Sequence, residues 1–540
     1  MFIGGDPGHK CKLFNHSNLF DFNSSDLKVE ARKCDVLFTS SQRNVTEKCQ
    51  EGWEYGTDFD SSILKEWNLV CDRDFLVQLE QTIFMIGSAC GTLIVTPLSD
   101  LFGRKWTLLS CLWLQPVFGI GLAFVNDFVL YSIIRFFIGL LNIAIALTAY
   151  VMMSEMFPSS HRTKLSVVLN CSWSIGVALL ALLAYLIRSW RYLEVAIFIP
   201  NLITFIYFCF FPESLTWLVA KGKVREAEKL IKRIEKVNKL RLPSDLVVIN
   251  SNDKSDRENS SCSTDSSCSP IGNHTQYSST PVTLSDSNHL DEIDLQITGR
   301  SDVQKEDMTG SSVVVVGGRV RHYSVLDLFR TPRILRYTLI NFYLWFVNNL
   351  SYFGIMFSTP SLHGNRYLNL ALSGFVELLA LFLCLFVLER YGRRKPVIFF
   401  MFLCGVMNIS TLFVPQKTAS GVDLTPLIVT MAMIGKFGIT GSYSTVYLYS
   451  TEIFPTVIRN QAVGLSSFFE NLGSIAAPFM VYAAKTMTSL PLVVFGVLTL
   501  VGAFLGCFLP ETHRTALPST VEQVNELDSH TPRTLLKMSG

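Results

Sequence analysis

The chain has 540 residues, of which 49% are hydrophobic and only 17% charged, with 40 Phe and a positive mean hydropathy; that balance excludes an ordinary soluble protein of this length. A formal net charge of +2 gives no basic surface for nucleic acid. No HExxH, CxxC, GxxxxGKS/T or nucleophile-elbow pattern occurs, so no enzyme, metal or cofactor is expected.

Residues 1–78 precede the first apolar window and are expected to form an extracellular loop. Cys11, Cys34, Cys49 and Cys71 make an even set with three possible pairings, and Asn15, Asn23 and Asn44 each begin an Asn-x-Ser/Thr glycosylation site. Apolar windows follow near 80–98, 107–125, 129–153, 165–187 and 191–211, then near 335–357, 370–388, 396–414, 425–449, 461–484 and 490–509. A helix of about 20 residues crosses a hydrocarbon core of roughly 30 Å, so these read as eleven spans of an all-α membrane protein. They fall into two bundles, 79–211 and 334–510.

The bundles are joined by a loop over 212–333, and a tail covers 511–540. Within the loop, 245–320 is dominated by Ser, Asp, Asn and Thr and is expected to stay unfolded. Ahead of it, Lys221 to Lys239 reads as a basic amphipathic helix, either lying on the inner membrane face or simply solvated. The Val313–Val316 run before Gly317-Gly318 has the form of a strand before a nucleotide loop, without the helix such a loop requires. Arg104, Lys105, Arg162, Lys164, the 221–239 run, residues 389–395, Arg459 and Arg514 fall on one side if the spans alternate. That side is expected to be cytosolic, which places the C-terminus in the cytosol of a multi-pass plasma-membrane protein.

An internal repeat ties the halves together. Ser154-Glu155-Met156-Phe157-Pro158 with Arg162 matches Thr451-Glu452-Ile453-Phe454-Pro455 with Arg459. Pro212-Glu213-Ser214 matches Pro510-Glu511-Thr512, and the 100–105 loop matches residues 389–394. All three lie at the same end of their spans, so the halves share one orientation. The arrangement resembles the parallel repeats of major facilitator transporters. The second half has a span, 335–357, whose counterpart is not seen before residue 80, and a twelfth span upstream of Met1 is expected in the natural protein.

Polar residues inside spans carry the functional reading, because charge in lipid is costly. Glu377 shares a helix face with Ser373, Gly374, Ala380 and Cys384, a small polar stripe suited to a cavity that attracts cations. The competing reading is a structural charge paired with Lys436. Trp345, Asn348, Asn349 and Tyr352 line one face of the preceding span, and aromatic faces attract organic ammonium; ordinary interhelical packing is the alternative. Asn170 with Trp173, Tyr443 with Tyr447, and the stripe carrying Asn471 repeat the pattern, with Glu470 beside that stripe. Arg135 is expected to be a structural inter-helix charge.

These residues together resemble the organic cation, carnitine and organic anion transporter family of the major facilitator superfamily, over residues 1 to about 515. The resemblance rests on Glu66-Trp67-Asn68-Leu69-Val70-Cys71, the 100–105 loop, Arg135 to Gly139, Pro212-Glu213-Ser214, Asp327 to Arg333, Val376-Glu377 and Gly435 to Pro455. The Gly435–Thr440 and Leu362–Asn365 stretches are nearer the cation and carnitine branch. The family implies alternating access around a central cavity, with Asn170, Trp173, Trp345, Tyr352, Glu377, Tyr443, Tyr447 and Asn471 at cavity positions. It implies that Asp100, Arg104, Glu389, Arg393 and the Glu155/Arg162 and Glu452/Arg459 pairs are cytosolic gate charges. Two departures stand out. Asn471 is neutral where cation carriers of the family usually show aspartate, and Thr96 and Leu101 replace the usual glycine and basic residue of the first loop. The expected function is transport of small organic cations or zwitterions across a lipid bilayer; the alternatives are an organic anion carrier and a non-transporting receptor or scaffold. A co-transported ion and the oligomeric state are left open.

Overall fold

The helices begin and end where local chemistry dictates. Asp127 accepts the Leu130 N–H at 2.9 Å to start one span, and Asn365 accepts those of Tyr367 and Leu368 at 3.0 and 3.3 Å to start another. Gly103 and Gly392 end two more at φ +107° and +88°, a conformation that excludes most side chains. The computed structural model describes residues 8–12, 28–39, 44–49, 52–56, 61–157, 162–238, 313–316, 319–322, 325–359, 364–415, 417, 422–484 and 490–513.

Among these, the first half contains α1 (Ile63–Glu66), α2 (Phe75–Phe102), α3 (Arg104–Leu122), α4 (Phe128–Met156), α5 (Arg162–Leu186), α6 (Trp190–Phe198), α7 (Tyr207–Phe210), α8 (Leu215–Ala220) and α9 (Val224–Asn238). The second half contains α10 (Pro332–Ser358), α11 (Arg366–Tyr391), α12 (Arg394–Ser410), α13 (Thr425–Ile453), α14 (Thr456–Ala483) and α15 (Leu490–Gly506). Each apolar window is helical, with one irregularity. The 191–211 window changes from α6 to a 3-10 segment over Ile199–Ile206 before α7, at Pro200, which has no N–H to continue the ladder. Large apolar side chains such as Leu93, Phe124, Phe386, Phe402 and Phe504 stand exposed around the bundles, as lipid-facing surfaces require.

Packing is tight where glycines permit. Gly87 and Gly91 of α2 lie against the Phe136 and Leu140 carbonyls of α4, so a Cβ at either would collide with backbone. The halves touch most extensively along two helix pairs, α2 with α14 and α5 with α11. In the sequence repeat α2 corresponds to α11 and α5 to α14, so these two contacts are one contact made twice about a pseudo-two-fold axis.

The N-terminal segment is not helical. Strands β1 (His9–Cys11) and β5 (Trp53–Tyr55) pair antiparallel, and β2 (Lys28–Ala31), β3 (Asp35–Thr39) and β4 (Asn44–Lys48) form a three-stranded sheet. The all-α expectation is corrected to that extent. The disulfides join Cys11 to Cys49 and Cys34 to Cys71. Asn44 opens β4 opposite Thr39, while Asn15 and Asn23 lie outside the described residues. The segment is moored to the first bundle through α1. Glu66 pairs with Arg191 and accepts Trp190 Nε1 at 2.8 Å, and the Trp67 ring lies among Phe128, Tyr131 and Trp190. Since a native disulfide contributes about 2–4 kcal/mol, Cys34→Ser/Cys71→Ser is expected to make this segment protease-sensitive on intact cells. An unchanged digestion pattern would remove the bridge from its stability.

The amphipathic helix α9 packs Ala227 and Leu230 against Trp217 and Leu218 of α8, so part of its apolar face is taken up within the protein, while Val237 near its end stands exposed. The four valines 313–316, inside the stretch expected to lack structure, form β6, which pairs antiparallel with β7 (Arg319–His322). The next described element is a 3-10 turn over Val325–Phe329, not the helix that a phosphate loop requires.

Candidate functional site

Trp345, Asn348, Asn349 and Tyr352 stand on one face of α10, and all four are buried. Trp345, Asn348, Tyr443, Val446 and Tyr447 line a small pocket between α10 and α13, with about 180 Å³ of empty space counting its mouth. Only about 10 Å³ of that is enclosed, about the room of one water, so the walls are closed on one another in this state and must part to admit an organic ligand. Its walls are aromatic. Trp345 lies 5.4 Å from Tyr447 and donates Nε1 to Ser450 Oγ at 2.8 Å. Tyr150 of the first half meets the other side of Tyr447 at 5.7 Å, and Tyr352 stacks on Tyr443 at 5.7 Å. The pocket therefore sits where the halves approach each other.

Glu377 and Lys436 sit beside it, 1% and 0% exposed, with Nζ 2.9 Å from Oε1. The other carboxylate oxygen accepts Ser174 Oγ at 3.2 Å and Tyr352 O–H at 3.1 Å, and Tyr352 accepts Trp173 Nε1 at 2.8 Å. The Lys436 ammonium lies 3.4 Å from the centre of the Tyr352 ring. The chain Trp173–Tyr352–Glu377–Lys436 thus crosses between the halves as one hydrogen-bonded ion pair, and Glu377 is held within the protein rather than facing open space. Asn170 lies on α5 one turn before Ser174, whose hydroxyl bonds its carbonyl. Asn471 is half-buried and spends its amide N–H on Ser467 of its own helix at 2.8 Å. Neither Asn170 nor Asn471 lines the small pocket.

The repeated motifs converge into two matching charge clusters. In the first half, Arg104 pairs with Asp100 and, at 3.3 Å, with Glu155, which also accepts Ser214 Oγ at 2.5 Å. Glu213 accepts the Lys105 and Ser214 N–H groups at 2.9 and 3.0 Å, stopping the first turn of α3. In the second half, Arg393 pairs with Glu452 at 3.2 Å, Thr512 Oγ1 donates to Glu452 at 2.6 Å, and Glu511 accepts the Arg393 N–H at 2.8 Å. Gly103 and Gly392 are required twice over here, since a Cβ at either would strike the Glu213 or Glu511 carboxylate. Glu389 is exposed and pairs with none of the described residues. Arg459 donates Nε to the Phe454 carbonyl at 3.3 Å rather than to Glu452, and the side chain of Arg162 lies outside the described residues.

Arg135 is the inter-helix structural charge expected of it, joining Glu80 of α2 at 2.5 Å to Glu194 of α6 at 3.5 Å. Several participants were not singled out by the sequence. The Glu213/Ser214 and Glu511/Thr512 caps were visible only as a repeat, and Ser174 and Tyr150 carried no signal apart from neighbouring polar residues.

The Major Facilitator Superfamily model matches residues 74–478 and 367–537. The Drosophila melanogaster organic cation transporter protein is 33% identical over 537 residues, covering 97% of this chain and 87% of that protein. Human organic cation/carnitine transporter 2 is 30% identical, covering 96% and 81%, and human solute carrier family 22 member 13 is 31% identical, covering 92% and 77%. The chain belongs to the Major Facilitator Superfamily and, within it, to the organic cation, carnitine and organic anion transporter family. It is a multi-pass membrane transporter rather than an enzyme. The structure of the proton:xylose symporter XylE bound to 6-bromo-6-deoxy-D-glucose has the same fold, with a TM-score of 0.55 at 16% identity over 84% of this chain and 90% of that one.

Proposed function

We propose that this chain carries small organic cations across the plasma membrane by alternating access, with its C-terminus in the cytosol. The observation that carries the reading is the aromatic pocket of Trp345, Tyr443 and Tyr447 at the junction of the halves. Aromatic faces attract an organic ammonium by about 0.5–2 kcal/mol each, and they offer nothing comparable to a carboxylate. Relatives named organic cation and organic cation/carnitine transporters support the same substrate class.

The two matching clusters act as paired gates. Arg104 with Glu155, and Arg393 with Glu452, hold the cytosolic ends of each half together when that side is closed, and part when it opens. The ion pair of Glu377 and Lys436 joins α11 to α13 within the second half; Ser174 and Trp173 of the first half bond to Glu377 and Tyr352 in this state, linking the pair to the pocket wall. Residues 212–333 serve as the cytosolic connection between bundles.

Cells expressing the chain at the surface are expected to accumulate labelled tetraethylammonium above control cells and to leave a labelled aromatic carboxylate at background. The reverse pattern would assign the chain to anions. Binding with no accumulation of either would favour a receptor.

A further inference from the structure

Inside the spans of the second half, one part-buried carboxylate has no base among the described residues. Glu377 is neutralised by Lys436, but Glu470 of α14 has no Lys, Arg or His within 4 Å among the described residues. Its carboxylate instead accepts the Tyr443 O–H, and its carbonyl accepts Asn349 Nδ2 at 2.6 Å. Tyr443 is itself a wall of the pocket, so the uncompensated charge stands immediately behind that wall. With all three groups ionised, Glu377, Lys436 and Glu470 sum to minus one. A desolvated carboxylate without a base is relieved by a proton or by a cation, and a bound cation that displaces the proton completes the site.

A second observation is independent of the first. Asn348 lines the same pocket and is 1% exposed; its Nδ2 donates to the Leu344 carbonyl at 2.7 Å, while its Oδ1 has no partner among the described residues. A buried amide oxygen without a partner, on a residue of the pocket wall, calls for a donor. A ligand with a positive charge and an N–H satisfies both requirements at once.

We propose that Glu470, held by Tyr443, is the counter-charge for the transported cation and that Asn348 accepts an N–H from it, so that the site takes protonated amines in preference to fully alkylated ammonium. The charge that Asn471 lacks is supplied one position earlier in the same helix. The inference rests on the cation-transport reading and narrows its substrate class. A site built around an acceptor discriminates strongly against an analogue with no donor, because the acceptor is then left unpaired.

The test is competition against labelled tetraethylammonium uptake by the full chain, with surface amounts measured by biotin labelling. Butylamine should half-inhibit at a concentration at least about ten-fold below that of butyltrimethylammonium. Asn348→Leu should erase that preference, and Glu470→Gln should weaken both competitors by about ten-fold or more, while Glu470→Asp retains them. Equal competition in the wild type, or an unchanged Glu470→Gln at normal surface level, would overturn the proposal. Thermal stabilisation of the purified wild-type chain does not depend on any variant folding: butylamine should exceed both butanol and butyltrimethylammonium, and equality would count against it. Absence of wild-type uptake of both labelled tetraethylammonium and labelled butylamine would instead sink the transport reading.

Discussion

Glu377→Gln is expected to lower the stability of the purified chain by about 3–5 kcal/mol, because it leaves the Lys436 ammonium fully buried without a counter-charge. Gln keeps a single acceptor oxygen, so either Lys436 or the pair Ser174 and Tyr352, which lie on opposite halves, must face its NH2 group instead. Thermal unfolding in detergent measures the loss. The double variant Glu377→Gln/Lys436→Met should recover most of it, since the uncompensated charge is then gone. For molecules that do reach the surface, half-saturation by tetraethylammonium should change little while the amount of active protein falls. A Glu377→Gln chain of normal stability with sharply weakened cation affinity would return Glu377 to the role of substrate ligand.

The second large effect concerns the gate clusters. Arg393→Ala strands the Glu452 carboxylate with Thr512 as its one remaining partner at that site. The pair is about five-sixths buried, and losing one member of such a pair costs about 3–5 kcal/mol. If the cluster closes the cytosolic side, that cost falls on the closed state alone, and uptake should drop below about a tenth of wild type. Arg104→Ala should behave the same way, because its cluster is built from the same repeated residues. Cysteines placed near the pocket should become more reactive from the cytosolic side in both variants. Full uptake with unchanged reactivity would show that the clusters only cap helices.

Much of the architecture was legible in the sequence because lipid demands long apolar helices, and each window from 80–98 to 490–509 is helical, the 191–211 window by way of a 3-10 stretch. The repeat was legible too, and it predicted more than was read from it. Glu213 and Glu511 were recognised as corresponding residues, yet their work as caps on the backbone of the following helices depends on chain folding back over 108 and 118 residues. Periodicity placed Trp345, Asn348, Asn349 and Tyr352 on one face, as the structure has them. It could not decide what that face meets. Whether Glu377 faces a cavity or Lys436 is settled by how α11 and α13 are rotated against each other, which no single-helix pattern encodes. The same ambiguity hid Glu470, whose direction depended on helix phase and whose importance appears only beside Tyr443. The strands of residues 9–55 were missed because disulfides and short pairings, not long periodic runs, hold that segment.

The most direct test of the account is counterflow. Vesicles containing the purified full chain are preloaded with unlabelled tetraethylammonium, and entry of labelled tetraethylammonium is timed. A carrier that exposes one pocket alternately to each side returns faster when loaded, so internal substrate should accelerate entry of label several-fold, and Glu470→Gln should abolish the acceleration. Entry that is unaffected by preloading, or no entry at all, would contradict alternating-access transport of organic cations by this chain.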